Sequence, residues 1–422
     1  MASSVKGTFD LFYPEVVKWQ LIEEKARTIF HLFSYTEIRT PILEHTELFV
    51  RSVGSETDIV SKEMYTFLDK KGRSLTLRPE NTAPVMRSII EHKLYESPKH
   101  SRLYYIGPQF RYERPQKGRY RQFHQIGMEL LNDKTPYAEF EGIFIAKELL
   151  NSLGIGQIKV KLNSVGCPEC RPKFVEVLKK YLITKEKQLC SDCQKRIYSN
   201  TLRVLDCKVP SCQQIILDAP AIIDSLCLCC DDHFKKLQQY LEESDLSYEL
   251  NLRLVRGLDY YVKNVFEITS PLLGAQDAIL GGGRYDGLLR SLGGPDIPSF
   301  GWALGVERLA LISEIKERKS NNVYIVWLGE EELKYAIKIA SFLRANKIPT
   351  IIDGEERSLK NSLKKADKLG ATFAIIIGED ELKSELLTVK NLISGEQFAF
   401  SKEELLSFLE NGEKKIGDRN EC

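Results

Sequence analysis

Between Arg111 and His124 the chain reads Arg-Tyr-Glu-Arg-Pro-Gln-Lys-Gly-Arg-Tyr-Arg-Gln-Phe-His, five basic residues against one acidic. Guanidinium groups at this density, interleaved with Tyr and Phe, suit phosphate oxygens and stacked bases, because each fork stays charged and grips two oxygens at once. The plain alternative is a solvated loop kept soluble by its charge. The cysteines are a second concentration of chemistry. Nine of the ten fall between Cys167 and Cys230, and the tenth, Cys422, is the last residue. They pair as Cys167-x-x-Cys170, Cys190-x-x-Cys193, Cys207-x4-Cys212 and Cys227-x-x-Cys230, with Cys229 left over. A two-residue gap lets two thiolates reach one tetrahedral zinc from a tight turn, so four pairs suffice for two structural sites of four thiolates each. Spacing does not say which pairs share a metal, and buried small hydrophobes are the competing reading. His233 lies close enough to Cys230 to replace a thiolate, although solvation is the ordinary role of such a histidine. No open three-ligand site with a neighbouring base is visible, so catalytic zinc is not expected.

Bulk properties narrow the field. The 422 residues carry 60 Lys+Arg and 59 Asp+Glu, a formal charge of +1, with 43% hydrophobic and 28% charged residues. That is an ordinary globular composition with room for two to four domains, and it excludes wholesale disorder. Near-neutrality excludes a chain that coats nucleic acid by bulk charge, while leaving room for a local basic site. The N-terminus, MASSVKGTFDLF, has no basic segment followed by a long apolar run, and nowhere do about 18 apolar residues follow one another. Neither a secretory signal nor a membrane span is expected. A cytoplasmic chain keeps its thiols reduced, which favours metal ligation over a disulfide framework.

The elements that must position these groups follow from periodicity. Pro14 opens a helix with Val17, Leu21, Ala26, Ile29, Phe30 and Phe33 on its apolar face. A strand at Ser74–Leu77 leads into Arg78-Pro-Glu-Asn-Thr82, followed by a helix bearing Val85, Ile89 and Ile90. Residues 103–113 and 122–131 read as two strands joined by the basic loop. Alternation puts Gln109, Arg111 and Glu113 on one face of the first, and Phe123, Gln125, Gly127 and Glu129 on one face of the second, with Ile126, Met128 and Leu130 opposite. Such a polar face suits a shaped site. The segment 166–246 holds the cysteine pairs on amphipathic helices. Leu252–Tyr261 and Val265–Thr269 read as strands, Gly281–Gly283 as a sharp turn, and Ser299–Ile312 as a strand running into a helix. After a linker at Lys316–Asn322, short apolar strands alternate with helices, which predicts a compact α/β domain. There Arg357, Lys360, Lys364 and Lys368 form one basic helix face, by default a solvated one.

These segments resemble a known family. Arg111 to Gln125 closely resembles motif 2 of the class II aminoacyl-tRNA synthetases, in the form found in histidyl-tRNA synthetases. Arg253-Leu-Val-Arg-Gly-Leu-Asp-Tyr-Tyr261 and Gly282-Gly-Arg-Tyr-Asp-Gly287 look like that family's two histidine motifs. Gly301 to Leu309 is similar to motif 3, and Phe33–Pro41 to motif 1, the dimer-forming element. The blocks stand in family order across nearly the whole chain. No H-I-G-H, K-M-S-K-S, G-x-x-x-x-G-K-[ST] or G-x-G-x-x-G pattern occurs.

The resemblance implies a mixed α/β (α+β) fold: a class II antiparallel-sheet catalytic core in 1–165 and 247–320, a Cys-rich helical insertion in 166–246, and an anticodon-binding-like α/β domain in 323–422. It implies a homodimer that joins L-histidine to histidine tRNA, with ATP as substrate and Mg2+ on its phosphates; structural zinc in the insertion stays the reading of the cysteine spacing. By the same resemblance Arg111 holds the α-phosphate, and Arg256 stands on the other side of the reacting centre, with Gln125 beside them. Arg308 binds the outer phosphates and lies against the adenine, Phe123 stacks on that base, and Glu113 sits near its amino group. Glu80, Thr82 and Gln125 receive the histidine ammonium. Glu129 and Tyr261 read the imidazole nitrogens, and Tyr260 and Tyr285 line the pocket. Arg114, Gln116, Arg119 and Arg121 face the tRNA acceptor end. Without its flanking residues, Tyr260-Tyr261 reads as a core aromatic pair. One departure is Asn81, where the family pattern has glycine; Asn tolerates left-handed geometry, so activity is expected to survive. No cysteine lies among the pocket residues, so metal loss is expected to loosen 166–246 before it touches adenylate chemistry. The competing functions are a non-catalytic histidine-binding regulatory paralogue, expected to lack the reactive arginines and the C-terminal domain, and a zinc-organised RNA-binding protein without enzymology.

Overall fold

A computed structural model describes residues 2–55, 57–274, 276–315 and 322–417, with side chains to residue 409 in the last helix. The linker expected at Lys316–Asn322 lies almost wholly outside the described residues, as does Cys422. The chain divides into two compact units, Met1–Lys316 and Glu317–Cys422.

The first unit is built on an eight-stranded sheet. Its order is Thr36–Glu37, Arg102–Phe110, Gln122–Leu131, Ser299–Gly305, Ala278–Arg284, Val262–Thr269, Lys159–Gly166 and Tyr248–Leu250. The inner strands pair antiparallel; the two edge strands pair parallel with their neighbours. Helices Glu15–Leu32, Tyr137–Ser152 and Leu228–Glu243 cover one face. Their buried Phe30, Leu149 and Leu237 join Met128, Phe266 and Trp302 of the strands in one core. Phe30 stacks on Tyr104 with ring centroids 4.6 Å apart, and Trp302 Nε1 donates to the Gly142 carbonyl at 2.8 Å. Burying side chains of this size stabilises by roughly 1.5–3 kcal/mol each, which keeps this face shut and leaves the opposite face for chemistry. Ile126, Met128 and Leu130 point into the core, as alternation requires.

Three local expectations change. The first strand of the pair ends at Phe110, because the chain turns there: Arg111 N–H donates to the Arg121 carbonyl at 2.9 Å and Glu113 N–H to the Arg111 carbonyl at 2.8 Å. Arg111 and Glu113 are therefore placed by a turn, not by pleat alternation. Leu252–Tyr261 forms no strand. Lys159–Gly166 already has Tyr248–Leu250 on one side and Val262–Thr269 on the other, so no ladder is left for it to join. Gly281–Gly283, in contrast, lie inside the Ala278–Arg284 strand.

In the second unit a five-stranded mixed sheet runs Thr350–Ile352, Val323–Trp327, Phe373–Ile377, Leu387–Asn391 and Gln397–Phe400. Val323–Trp327 and Phe373–Ile377 are buried at every position, as parallel strands covered on both faces must be. The helix of the basic stripe spans Leu359–Lys368, so Arg357 precedes it and pairs with Glu355 at 2.8 Å and Asp353 at 3.4 Å. Lys360, Lys364 and Lys368 are exposed on the helix.

Candidate active site

The face of the large sheet turned away from its three helices carries little side-chain bulk. Register places Gln125, Gly127 and Glu129 beside Gly305, Ala303 and Gly301 on the next strand. Gly301 and Ala303 in turn adjoin Gly283 and Gly281. The result is a floor of glycines across three adjacent strands, over which neighbouring side chains lie flat. A Cβ on Gly301 would stand 2.3 Å from Glu129 Oε2, and one on Gly281 would stand 2.1 Å from Arg256 Nη2. Glycine is needed at both positions because a functional side chain occupies the space a Cβ would fill.

Glu129 is the centre of this floor and is fully buried. Thr82 Oγ1 donates to its Oε1 at 2.8 Å, and Tyr285 Oη donates to Oε2. Burial pushes its carboxyl up to about 8; the bonds from Tyr285 and Thr82 pull the other way, and the nearby Glu80 charge adds to the rise. Glu80 is buried at the start of the Thr82–Glu91 helix, where its carboxylate accepts the Thr82 N–H at 2.7 Å and the Ala83 N–H at 3.0 Å. Burial raises its carboxyl as well. Tyr260, Tyr261 and Tyr285 form a ring cluster, with centroids 4.8 Å apart for the first pair and 5.5 Å for Tyr260–Tyr285. Burial raises all three phenols, Tyr261 to about 12, so they act as neutral hydroxyls.

Asn81 causes no strain. Its φ of −116° is ordinary, and its Oδ1 accepts a hydrogen bond from Thr40 Oγ1 at 2.8 Å, so no left-handed backbone is needed. Next to it, buried Arg78 donates to the Thr40 and Pro108 carbonyls at 2.8 and 3.0 Å and ties this turn to the sheet.

Arginines ring the floor. Arg256 Nη1 donates to Glu267 Oε1 at 2.8 Å, which holds its guanidinium over Gly281. Arg111 Nε donates to the Pro79 carbonyl at 2.8 Å, and its guanidinium carbon lies 5.3 Å from the Phe123 ring centroid. Arg308 lies in the first turn of the Val306–Ile312 helix and donates to the carbonyls of Gln276 and Ala278. In this state Phe123 therefore faces Arg111. The basic loop closes at Gln116 and Arg119, which exchange backbone hydrogen bonds around Gly118 at φ +73°. Arg119 reaches Glu113 at 3.2 Å, Arg121 lies 4.0 Å over the Tyr112 ring, and Arg114 and Gln116 are exposed.

Two groups escaped the sequence reading. Tyr105 pairs in register with Gly127, and its hydroxyl is buried without a hydrogen-bond partner of good geometry among the described residues. The same holds for both amide atoms of Gln109, for Gln125 Oε1 and for Arg256 Nε. Buried polar atoms are normally satisfied, so a group of them on one face marks where a polar ligand belongs. Extending the strand alternation from Gln109 back to Tyr105 would have found it. The second is Arg284, fully buried, which donates to Glu139 at 2.8 Å. Glu139 also meets His233 Nε2 at 2.6 Å, so His233 is a buried structural partner, neither solvated nor a metal ligand.

The cysteines converge by fours. Cys167, Cys170, Cys227 and Cys230 form one cluster and Cys190, Cys193, Cys207 and Cys212 another, with the sulfurs of each within 4.8 Å of one another. The first pair thus joins the fourth, and the second joins the third. None of the nine described cysteines is disulfide-bonded. A tetrahedral zinc with bonds of about 2.3 Å requires sulfurs about 3.8 Å apart. The observed contacts are 3.6 Å for Cys167–Cys170, 3.8 Å for Cys167–Cys227, and 3.9 Å for both Cys170–Cys230 and Cys190–Cys207. The donor sets fit zinc.

Known proteins are similar to this chain in sequence and in fold. The sequence model described as Histidyl-tRNA synthetase matches residues 7–309, and that described as Anticodon binding domain matches residues 322–412. The histidine–tRNA ligase of Thermodesulfovibrio yellowstonii is 48% identical over 410 residues, covering 96% of this chain and 98% of the relative. That of Caldanaerobacter subterraneus is 45% identical over 416 residues, covering 97% and 100%. The crystal structure of apo Staphylococcus aureus histidyl-tRNA synthetase superposes with a TM-score of 0.82 at 36% identity, over 97% of this chain and 100% of that one. Sequence and fold therefore agree, and the chain belongs to the histidyl-tRNA synthetase family.

Proposed function

We propose that the cleft over the glycine floor performs both half-reactions of histidine–tRNA ligation. The histidine carboxylate attacks the α-phosphorus of ATP to give histidyl-adenylate and pyrophosphate. The terminal ribose hydroxyl of histidine tRNA then takes the histidyl group and releases AMP. The reading rests on one observation above the others: Tyr105 Oη, Gln125 Oε1 and Arg256 Nε are buried and unpartnered around a floor that already holds Glu129.

In this reading Arg111 and Arg256 flank the α-phosphate and neutralise charge as it builds, which is where such reactions gain most. Gln125 orients the histidine carboxylate beside them. Arg308 leaves its carbonyl partners to take the outer phosphates, Phe123 stacks on the adenine, and Glu113 accepts from its amino group. Mg2+ accompanies the nucleotide phosphates. Glu80, Thr82 and Gln125 receive the ammonium, while Glu129 and Tyr261 read the two ring nitrogens within the wall of Tyr260 and Tyr285. A pocket with two polar partners rejects amino acids that leave one unsatisfied more strongly than shape alone does. Arg114, Gln116, Arg119 and Arg121 meet the tRNA acceptor end, and the domain at 323–422 meets the anticodon.

The chain acts as a homodimer in the cytoplasm. Exposed Leu32 and Leu43, at 74% and 46%, supply apolar surface on the elements that precede and follow the motif 1 segment. The two four-thiolate clusters hold structural zinc. No helix among the described residues is long and apolar enough to cross a membrane. Against the regulatory-paralogue reading stand Arg111, Arg256 and Arg308 and the C-terminal domain match. Histidine-dependent ATP–pyrophosphate exchange tests the proposal: exchange that requires histidine supports it, and its absence in folded, metal-replete protein overturns it.

A further inference from the structure

The loop Leu252–Tyr261, which carries Arg256, Tyr260 and Tyr261, has no strand partner, yet three of its backbone carbonyls accept hydrogen bonds from the cysteine-rich segment. Arg171 donates to the Tyr261 carbonyl while also gripping the Val165 and Gly166 carbonyls at 2.8 and 3.1 Å. Arg203 donates to the Arg256 carbonyl at 3.4 Å and to the Gly257 carbonyl at 3.1 Å. Asn200 donates to Asp259 Oδ1 at 3.1 Å. In return Arg253 donates to the Pro220 and Leu217 carbonyls at 2.8 and 3.0 Å. A cavity of about 370 Å³, lined by Arg171, Arg203, Val255, Leu258 and Tyr261, separates the two segments. Leu254 and Tyr261 anchor the loop in an apolar cluster and Val255 packs against the cysteine-rich core, while across the cavity the polar clamps fix the course of its backbone.

Each clamp is tied to one thiolate cluster. Arg171 directly follows Cys170 and begins the Arg171–Ile183 helix, with Cys170 as its N-cap residue. Arg203 sits on the short Thr201–Asp206 helix that runs into Cys207. The two clusters close different parts of the segment, Cys167–Cys170 with Cys227–Cys230 and Cys190–Cys193 with Cys207–Cys212. We infer that this chain binds two zinc ions, one per cluster, and that they act as positioning elements for the histidine-binding loop, the first through Arg171 and the second through Arg203. Metal loss then reaches histidine binding directly, instead of merely loosening a separate insertion. The inference rests on the reading of the cleft as the histidine site.

Metal analysis of the full chain purified without chelator, paired with pyrophosphate-exchange kinetics, tests both halves. Two zincs per chain are expected, falling to one in Cys227→Ser and in Cys190→Ser. In each variant KM for histidine is expected to rise about tenfold while KM for ATP stays within twofold. Arg171→Met and Arg203→Met leave every thiolate in place, so they are expected to keep both zincs and still raise KM for histidine several-fold. They decide the question if the cysteine variants fail to fold. One zinc or fewer per wild-type chain overturns the two-site assignment, and an unchanged histidine KM in both arginine variants overturns the positioning role. Wild-type chain with two zincs but no histidine-dependent exchange overturns the reading of the cleft instead.

Discussion

The two walls of the pocket are held by different physics. On the sheet side, Gln125 and Glu129 belong to the Gln122–Leu131 strand, flanked by hydrogen-bonded strands on both sides and backed by an apolar core. Their direction is a consequence of register, and a one-residue slip would turn both into that core. On the loop side, Arg256, Tyr260 and Tyr261 lie on a segment with no ladder, aimed by arginine donors from the cysteine-rich segment and by the contact of Arg256 with Glu267. The sheet side is rigid because many backbone bonds must break together. The loop side rests on the apolar anchors Leu254 and Tyr261 and on a few charge-assisted bonds from the segment that carries the thiolate clusters. An enzyme that must admit histidine, ATP and an RNA end in turn has reason to build one wall of each kind.

The sharpest way to break this comparison is to remove the loop wall's charge. Arg256→Ala is expected to reduce histidine-dependent exchange by about 10³-fold, the scale for losing a preorganised donor at a reacting centre. A loss under tenfold would mean the loop wall does not touch the chemistry. Gly281→Ala is the subtler version. Its Cβ would stand 2.1 Å from Arg256 Nη2, so it displaces the guanidinium without deleting it. About 10²-fold lower kcat with unchanged thermal stability is expected, and wild-type kcat would show that the contact with the floor is incidental.

On the sheet wall, Glu129→Gln is expected to lower kcat/KM for histidine about 10²-fold by replacing a buried, hydrogen-bonded carboxyl that pairs with a ring nitrogen. The same variant has a stability signature. Burial holds the folded carboxyl at about 8 instead of its ordinary 4.5, so over that interval the folded chain keeps a proton that the unfolded chain has released. The contribution is complete below the unfolded value and is lost as pH climbs towards 8. Gln cannot ionise, so Tm of the variant relative to wild type is expected to be higher at pH 8.5 than at pH 5. Melting curves whose difference does not change with pH would contradict the buried, protonated acid.

The smallest effect is expected far from both walls. Replacing Lys360, Lys364 and Lys368 together by Glu is expected to raise KM for tRNA several-fold and flatten its salt dependence, leaving pyrophosphate exchange untouched. Equal loss of exchange would mean that the stripe supports folding and not RNA contact.

Legibility followed the range of the interactions. The antiparallel pair and the polar face with Gln125 and Glu129 could be read from alternation, because a strand's period is local. Tyr105 was missed because its neighbours look like an ordinary apolar strand, and only its register opposite Gly127 exposes it to the site. Gly281–Gly283 looked like a turn because glycine usually marks one. Here the three residues leave room for side chains from elsewhere, information that local sequence does not contain. Leu252–Tyr261 looked like a strand by composition, but strand formation depends on an available partner, and the neighbouring edge was taken.

By itself the sequence determined the family, the reaction class and the fact that the cysteines come in pairs. Each of these is written in residue types at short spacings. Only the tertiary structure decided which cysteine pairs meet, since Cys167–Cys170 and Cys227–Cys230 are brought together across a long stretch of intervening chain. It also decided that Arg171 and Arg203, unremarked by any motif, connect those clusters to the pocket. The physical reason is the same in both cases. A turn sets which two groups lie side by side, but contacts between distant segments are set by how whole elements pack.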